Sequence, residues 1–133
     1  MAAEPTADAA RRLEAVVALR AEIPGEARTA SLLGIKRFGS GVLIDDGGLI
    51  VTIGYLITEA MAAEVTAAGR TSRADVVGFD TASGLGLLRA VEPLGVKPLP
   101  IATAQALAER TPVIIAGHGV VAAAQPAVVV SRR

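Results

Sequence analysis

Few side chains in this sequence could move a proton or attack a carbonyl. There is one histidine, His118, one tyrosine, Tyr55, and no cysteine. The missing cysteine excludes disulfides, cysteine zinc sites and a thiol nucleophile. A single histidine is too few for a histidine-based metal site, which draws on several side-chain ligands. As a residue type, histidine is the side chain suited to general-base work at neutral pH. His118 ends an apolar run, VIIAGH, where a solvated or capping role is its default reading. Asp45, Asp46 and Asp80 stand beside turn residues and read as turn carboxylates.

One glycine pattern invites a second chemistry. Val113–Ala122, VIIAGHGVVA, fits G-x-G-x-x-G/A after an apolar run, the outline of a dinucleotide-binding turn. That turn needs a helix after the glycines, whose N-terminus holds the pyrophosphate. It also needs an acidic residue about 20 positions on, for the ribose. Pro126 interrupts any such helix, and no Asp or Glu follows Glu109. A nucleotide-binding oxidoreductase fragment is therefore the weakest functional reading, and no cofactor and no metal are expected.

The elements that must position these residues belong to a chain of 133 residues, a length that fits one domain. Phe38, Tyr55 and Phe79 are its only aromatics, so Val, Ile, Leu and Ala must build the core. Thirteen basic residues balance thirteen acidic ones, which points to neither nucleic acid nor an anionic membrane. The apolar run Ala15–Leu19 is too short for a secretory signal and is flanked by charges. The longest uncharged apolar run, Gly47–Thr58, is far short of the roughly 20 residues that span a bilayer. The chain reads as soluble, and a cytoplasmic location is favoured.

Thr6 or Asp8 can cap a helix at about 6–14, although Ala15–Ile23 suits a strand as well. Pro24-Gly25 breaks what precedes it, and Glu26–Phe38 reads as a loop. Gly39–Asp45 and Leu49–Gly54 are apolar runs joined by Asp46-Gly47-Gly48, a hairpin signal. Short helices are expected at 55–62 and 102–110. Strands are expected at Glu64–Ala68, Arg73–Phe79, Leu85–Val91, Pro112–Ala116 and Ala127–Ser131. Many short strands with little helix predict an all-β barrel or sandwich.

Several stretches together resemble trypsin-like serine proteases of the HtrA (Deg) type. FGSGVLIDDGGL, Phe38–Leu49, resembles that family's G-S-G hairpin, and IVTIGYLI, Ile50–Ile57, resembles its I-L-T-N-x-H-V-V segment. ADVVGFDTASGLGLL, Ala74–Leu88, resembles A-x-V-V-G-x-D-x-x-x-D-L-A-V-L. PLPIATAQALAERTPVIIAG, Pro98–Gly117, resembles the segment that ends V-x-A-I-G, and PAVVVSRR, Pro126–Arg133, looks like G-I-V-S-x-x-x-R. No piece is specific alone; their order and spacing are, over about Gly39–Arg133.

The resemblance implies two β-barrels with an active site between them, of which this chain holds the first. It divides the chain into an N-terminal helix, strand and loop (1–38), the first barrel (39–117), and a linker with the first strand of a second barrel (118–133). The family's histidine position falls on Tyr55 and its aspartate position on Gly84. Its serine position lies beyond the matched segments, and Ser131 matches a strand serine. A phenol holds its proton through neutral pH and makes a poor base, and glycine can orient nothing. Losing the base histidine alone costs on the order of 10⁶ in turnover in a comparable protease. The expectation is a catalytically degenerate homologue, a pseudoprotease with no intact catalytic residue. A half of a split serine protease completed by another chain is the alternative. A peptide or protein partner, a second barrel on another chain, or self-association would cover its open face.

Overall fold

Two-residue alternation decides most of the elements, because successive side chains of a strand point to opposite faces. In β4 (Ala62–Ala67), Ala63, Val65 and Ala67 are buried while Ala62 and Glu64 are exposed. β1 (Val16–Glu22) buries Val17, Leu19 and Ala21 in the same phase. β2 (Lys36–Leu43) turns Arg37, Gly41 and Leu43 inward, and β3 (Leu49–Ile53) turns in Ile50 and Thr52. β5 (Arg70–Asp80) contributes Ser72 and Ala74, and β6 (Leu85–Ala90) contributes Gly86 and Leu88. The computed structural model describes residues 7–103, 105, 107–118 and 122–132.

These six strands close into a barrel in the order β1-β2-β3-β6-β5-β4, with every neighbouring pair antiparallel. Closure leaves no strand edge open within the barrel. Leu19, Ile50, Ile57, Leu88, Val17 and Val65 are its largest fully buried side chains. All three aromatics stay outside: Phe38 is 67% exposed, and Tyr55 and Phe79 are each 50% exposed. The core is aliphatic, as composition requires.

Outside the barrel, β7 (Pro112–His118) and β8 (Ala122–Val128) form a separate two-stranded antiparallel ribbon. Ile114 and Ile115 are neighbours on β7 and so face opposite ways, yet they are 48% and 64% exposed. β7 touches β1 and β2 of the barrel, yet Ile114, Ile115 and Val128 stay largely uncovered by the described chain.

Several expectations shift. The first helix forms as α1 (Ala7–Leu13), but Ala15–Ile23 takes its strand alternative because β1 pairs on both edges, with β2 and with β4. The segment read as a loop contains one helical turn, α2 (Ala30–Leu33). The helix expected at 55–62 is a short 3-10 turn, Gly54–Leu56. Glu59 at φ 63 ends that winding, and Ala62 already pairs with Glu22. The helix expected at 102–110 does not form among the described residues, apart from a 3-10 position at Gln105; Ala104 and Ala106 lie outside them. Ile101 and Leu107 are 76% and 42% exposed, so the segment lacks the buried stripe that stabilises a short helix. The last strand starts earlier than expected, at Ala122 rather than Ala127, because it pairs with β7 along its whole length. The barrel runs from Val16 to Ala90, so it takes in β1 and leaves β7 out, unlike the 39–117 boundary.

Candidate functional site

Two segments meet at one end of the barrel. The first is the turn that follows β3. Leu56 and Ile57 are 3% and 1% exposed and anchor the turn in the core. They fit because two facing positions carry no side chain. Leu56 fills the space a Cβ on Gly39 would take, and a Cβ on Gly86 would stand 2.7 Å from Ile57 Cδ1. With Leu56 and Ile57 buried, Tyr55 is left facing outward. The packing at this turn is thus done by Leu56 and Ile57.

The turn is also held by its own hydrogen bonds. The Ile57 and Thr58 N–H groups donate to the Gly54 carbonyl, at 3.1 and 3.0 Å. Thr58 Oγ1 donates to the same oxygen at 2.8 Å. From below, Arg37 Nη1 donates to the carbonyls of Tyr55 (2.7 Å) and Thr58 (3.0 Å). Hydrogen bonds from a charged donor are worth about 1.5–3 kcal/mol each, so this side chain is a strong fixture.

The second segment is the loop between β5 and β6. The Asp80 carboxylate accepts the Ser83 N–H at 3.0 Å and the Ala82 N–H at 3.4 Å, and the Gly84 N–H donates to the Asp80 carbonyl at 2.9 Å. The bonds from Ser83 and Ala82 hold the Asp80 carboxyl below its ordinary range. Asp80 is therefore a turn residue, in agreement with its sequence context. Gly84 sits at φ +77, which explains a glycine there without any appeal to function.

The strand register joins the two segments. Ile53 pairs with Leu85, and just past that pair the Gly54 N–H donates to the Gly84 carbonyl at 2.7 Å. Tyr55 and Gly84, far apart in sequence, are thus brought to one place. Around them lie Ile53, Phe79 and Leu85, each about half exposed. The side chains contributed by positions 55 and 84 are a phenol and a hydrogen atom, so neither is a strong base or a carboxylate.

The remaining candidates lie elsewhere. His118 ends β7, where its N–H donates to Ser40 Oγ at 2.8 Å and its carbonyl accepts from the same hydroxyl at 3.2 Å. This clasp fixes the ribbon to β2. Asp45 Oδ1 accepts the Leu49 N–H at 2.9 Å and closes the β2–β3 turn, as a hairpin residue should. Asp46 is exposed in that turn, and Ser131 is exposed after β8. The glycine pattern at Val113–Ala122 leads into strand β8, where a nucleotide turn needs a helix N-terminus. Gly119, Val120 and Val121 of that pattern lie outside the described residues.

Sequence reasoning missed Arg37, Glu59 and Ser40. Arg37 had a visible signal: it sits in the inward phase of β2, where an arginine needs a reason. Glu59 accepts the Thr29 N–H at 2.9 Å and the Arg28 N–H at 3.0 Å across the barrel end. The bond from the Thr29 backbone is the main cause that holds its carboxyl below the ordinary value of 4.5. Nothing in the local sequence announces that reach.

The closed six-stranded antiparallel barrel is what the resemblance implied for the first barrel. The family model for the trypsin-like peptidase domain matches residues 39–132, and the chain belongs to that family. Among solved structures, the HtrA-type protease AlgW, as a serine-to-alanine variant with a tripeptide, superposes with a TM-score of 0.78 at 18% identity. The match covers 92% of this chain and 38% of the AlgW chain, so this chain spans well under half of that protein's length. The fold is therefore that of an HtrA-type trypsin-like protease. No curated protein matches the chain.

Proposed function

We propose that this protein is a non-catalytic member of the trypsin-like peptidase family that serves as a binding or structural module. The observation that carries this reading is the meeting of Tyr55 and Gly84 across the 2.7 Å Gly54–Gly84 bond. The family resemblance puts the base histidine and its orienting aspartate at those two positions. A serine hydroxyl needs a base to take its proton and a carboxylate to hold that base in the right tautomer. Neither is supplied by a tyrosine and a glycine. The half-exposed Ile53, Tyr55, Phe79 and Leu85 support a contact surface at the same place.

One observation favours a second reading, half of a split protease. The ribbon β7–β8 exposes Ile114, Ile115 and Val128, which suits a surface completed by further β structure. Tyr55 and Gly84 stand against it, because no added chain restores them. The test is hydrolysis of a casein-type substrate by the purified chain, alone and with a second barrel of the family added. No turnover in either mixture is expected. Serine-inhibitor-sensitive cleavage by the unaltered chain in either one overturns the non-catalytic reading. Activity that appears only when Tyr55→His and Gly84→Asp are combined with the second barrel supports the assignment of the two positions.

A further inference from the structure

Arg37 is 3% exposed, and its guanidinium is held by four acceptors in two segments. Nε donates to the Gly34 carbonyl at 3.2 Å and Nη2 to Thr29 Oγ1 at 2.8 Å, both in the segment between β1 and β2. Nη1 donates to the carbonyls of Tyr55 and Thr58, in the turn after β3. Among the described residues the ion pairs are Arg12–Asp8 and Arg20–Glu22, and Arg37 belongs to neither. A buried guanidinium satisfied by neutral oxygens has one geometric consequence: it fixes the backbone groups that solvate it. Glu59 repeats the link from the opposite side, through the N–H groups of Arg28 and Thr29. The segment carrying α2 and the turn carrying Tyr55 are therefore clamped together twice, in both directions.

We propose that Arg37 is a positioning residue for Tyr55, setting the orientation of the 54–58 turn and hence of whatever side chain stands at 55. The anchors are backbone carbonyls, so the clamp is indifferent to the identity of that side chain. It holds independently of whether the site is catalytic, and a failure of the non-catalytic reading leaves it standing.

The chain offers its own probe. Tyr55 is the only tyrosine and there is no tryptophan, so tyrosine fluorescence reports this turn alone. Acrylamide quenching is measured for the unaltered chain, Arg37→Gln and Arg37→Lys, with far-UV circular dichroism checking that each is folded. Half of the Tyr55 surface is shielded, so release of the turn in Arg37→Gln should raise the quenching constant about twofold. Arg37→Lys, which keeps a charged donor, should fall between the two. A purely global role would lower the melting temperature and leave quenching of the folded protein unchanged, and that result overturns the proposal. The unaltered chain gives a second reading that needs no variant to fold. Its Arg37 Nη–H protons should appear as separate, slowly exchanging resonances, because two acceptors on Nη1 and one on Nη2 oppose rotation about the Cζ–Nη bonds. A single averaged signal overturns the proposal as well.

Discussion

The Gly54 N–H donates to the Gly84 carbonyl over 2.7 Å, and Gly84 holds that carbonyl in place from a backbone at φ +77. The geometry that joins the two halves of the site therefore depends on a residue that adopts left-handed backbone readily. A Cβ on Gly84 would meet no atom within 4 Å, so space is not the obstacle to substitution there. Backbone strain is. Gly84→Ala should destabilise the fold by about 1 kcal/mol, and Gly84→Asp by less, because aspartate tolerates this region better than alanine. Thermal unfolding of the two variants beside the unaltered chain checks the order. The same measurement says how much strain an aspartate would have to bear at this position.

The hairpin between β4 and β5 carries strain that can be removed. Ala67 pairs with Arg70, leaving a two-residue loop in which Ala68 has φ 50 and Gly69 has φ 80. Two positive φ values define a type I′ turn, for which Asn-Gly is the favoured sequence. Ala68→Asn should therefore stabilise the chain by roughly 0.5–1 kcal/mol. An upward shift of the thermal midpoint, with the spectrum of the folded state unchanged, is the expected result.

Ser40 fastens the ribbon to the barrel through a single hydroxyl that both accepts from and donates to the His118 backbone. Ser40→Ala removes this partner from two backbone groups, a loss of about 1–3 kcal/mol confined to the docking of β7. Amide exchange should quicken along Pro112–His118 and stay unchanged in the central barrel strands. Uniform acceleration across the whole chain would show instead that ribbon and barrel open together.

Acid should loosen the Tyr55 end of the barrel. The Glu59 carboxyl is held below 4.5, chiefly by the hydrogen bond from the Thr29 backbone, and Asp80 is held below 3.8 by Ser83. A depressed carboxyl favours the folded state when ionised. Its contribution is complete above the unfolded values and is lost as pH falls through the lower folded values. Stability should thus hold from neutral pH down to about 4.5 and decline below it. Glu59→Gln should flatten part of that decline. Denaturant titrations of both chains across the acid range supply the comparison.

Much of the barrel was legible because its causes are local. The strand expected at Glu64–Ala68, the Asp-Gly signal after Ile44 and the breaks at Pro24-Gly25 each follow from side-chain period or backbone permission within a few residues. The ambiguity at Ala15–Ile23 was different. Those residues suit a helix or a strand, and the partners that decide, β2 and β4, lie far along the chain. Among the described residues the helix expected at 102–110 failed for a related reason: helix formers with nothing to pack against do not hold a short helix.

By itself the sequence determined which side chains could take part in chemistry: one phenol at 55, no side chain at 84, one imidazole at 118. It also determined an aliphatic core, since only three aromatics are present. Tertiary structure alone decided that Tyr55 and Gly84 meet, that Leu56 and Ile57 rather than Tyr55 carry the packing, and that Arg37 and Glu59 tie the turn to α2. Those facts depend on strand register and barrel closure, which bring distant backbone groups within hydrogen-bond reach. Such contacts are set by the whole sheet, and the partner each residue reaches is not written in its local sequence.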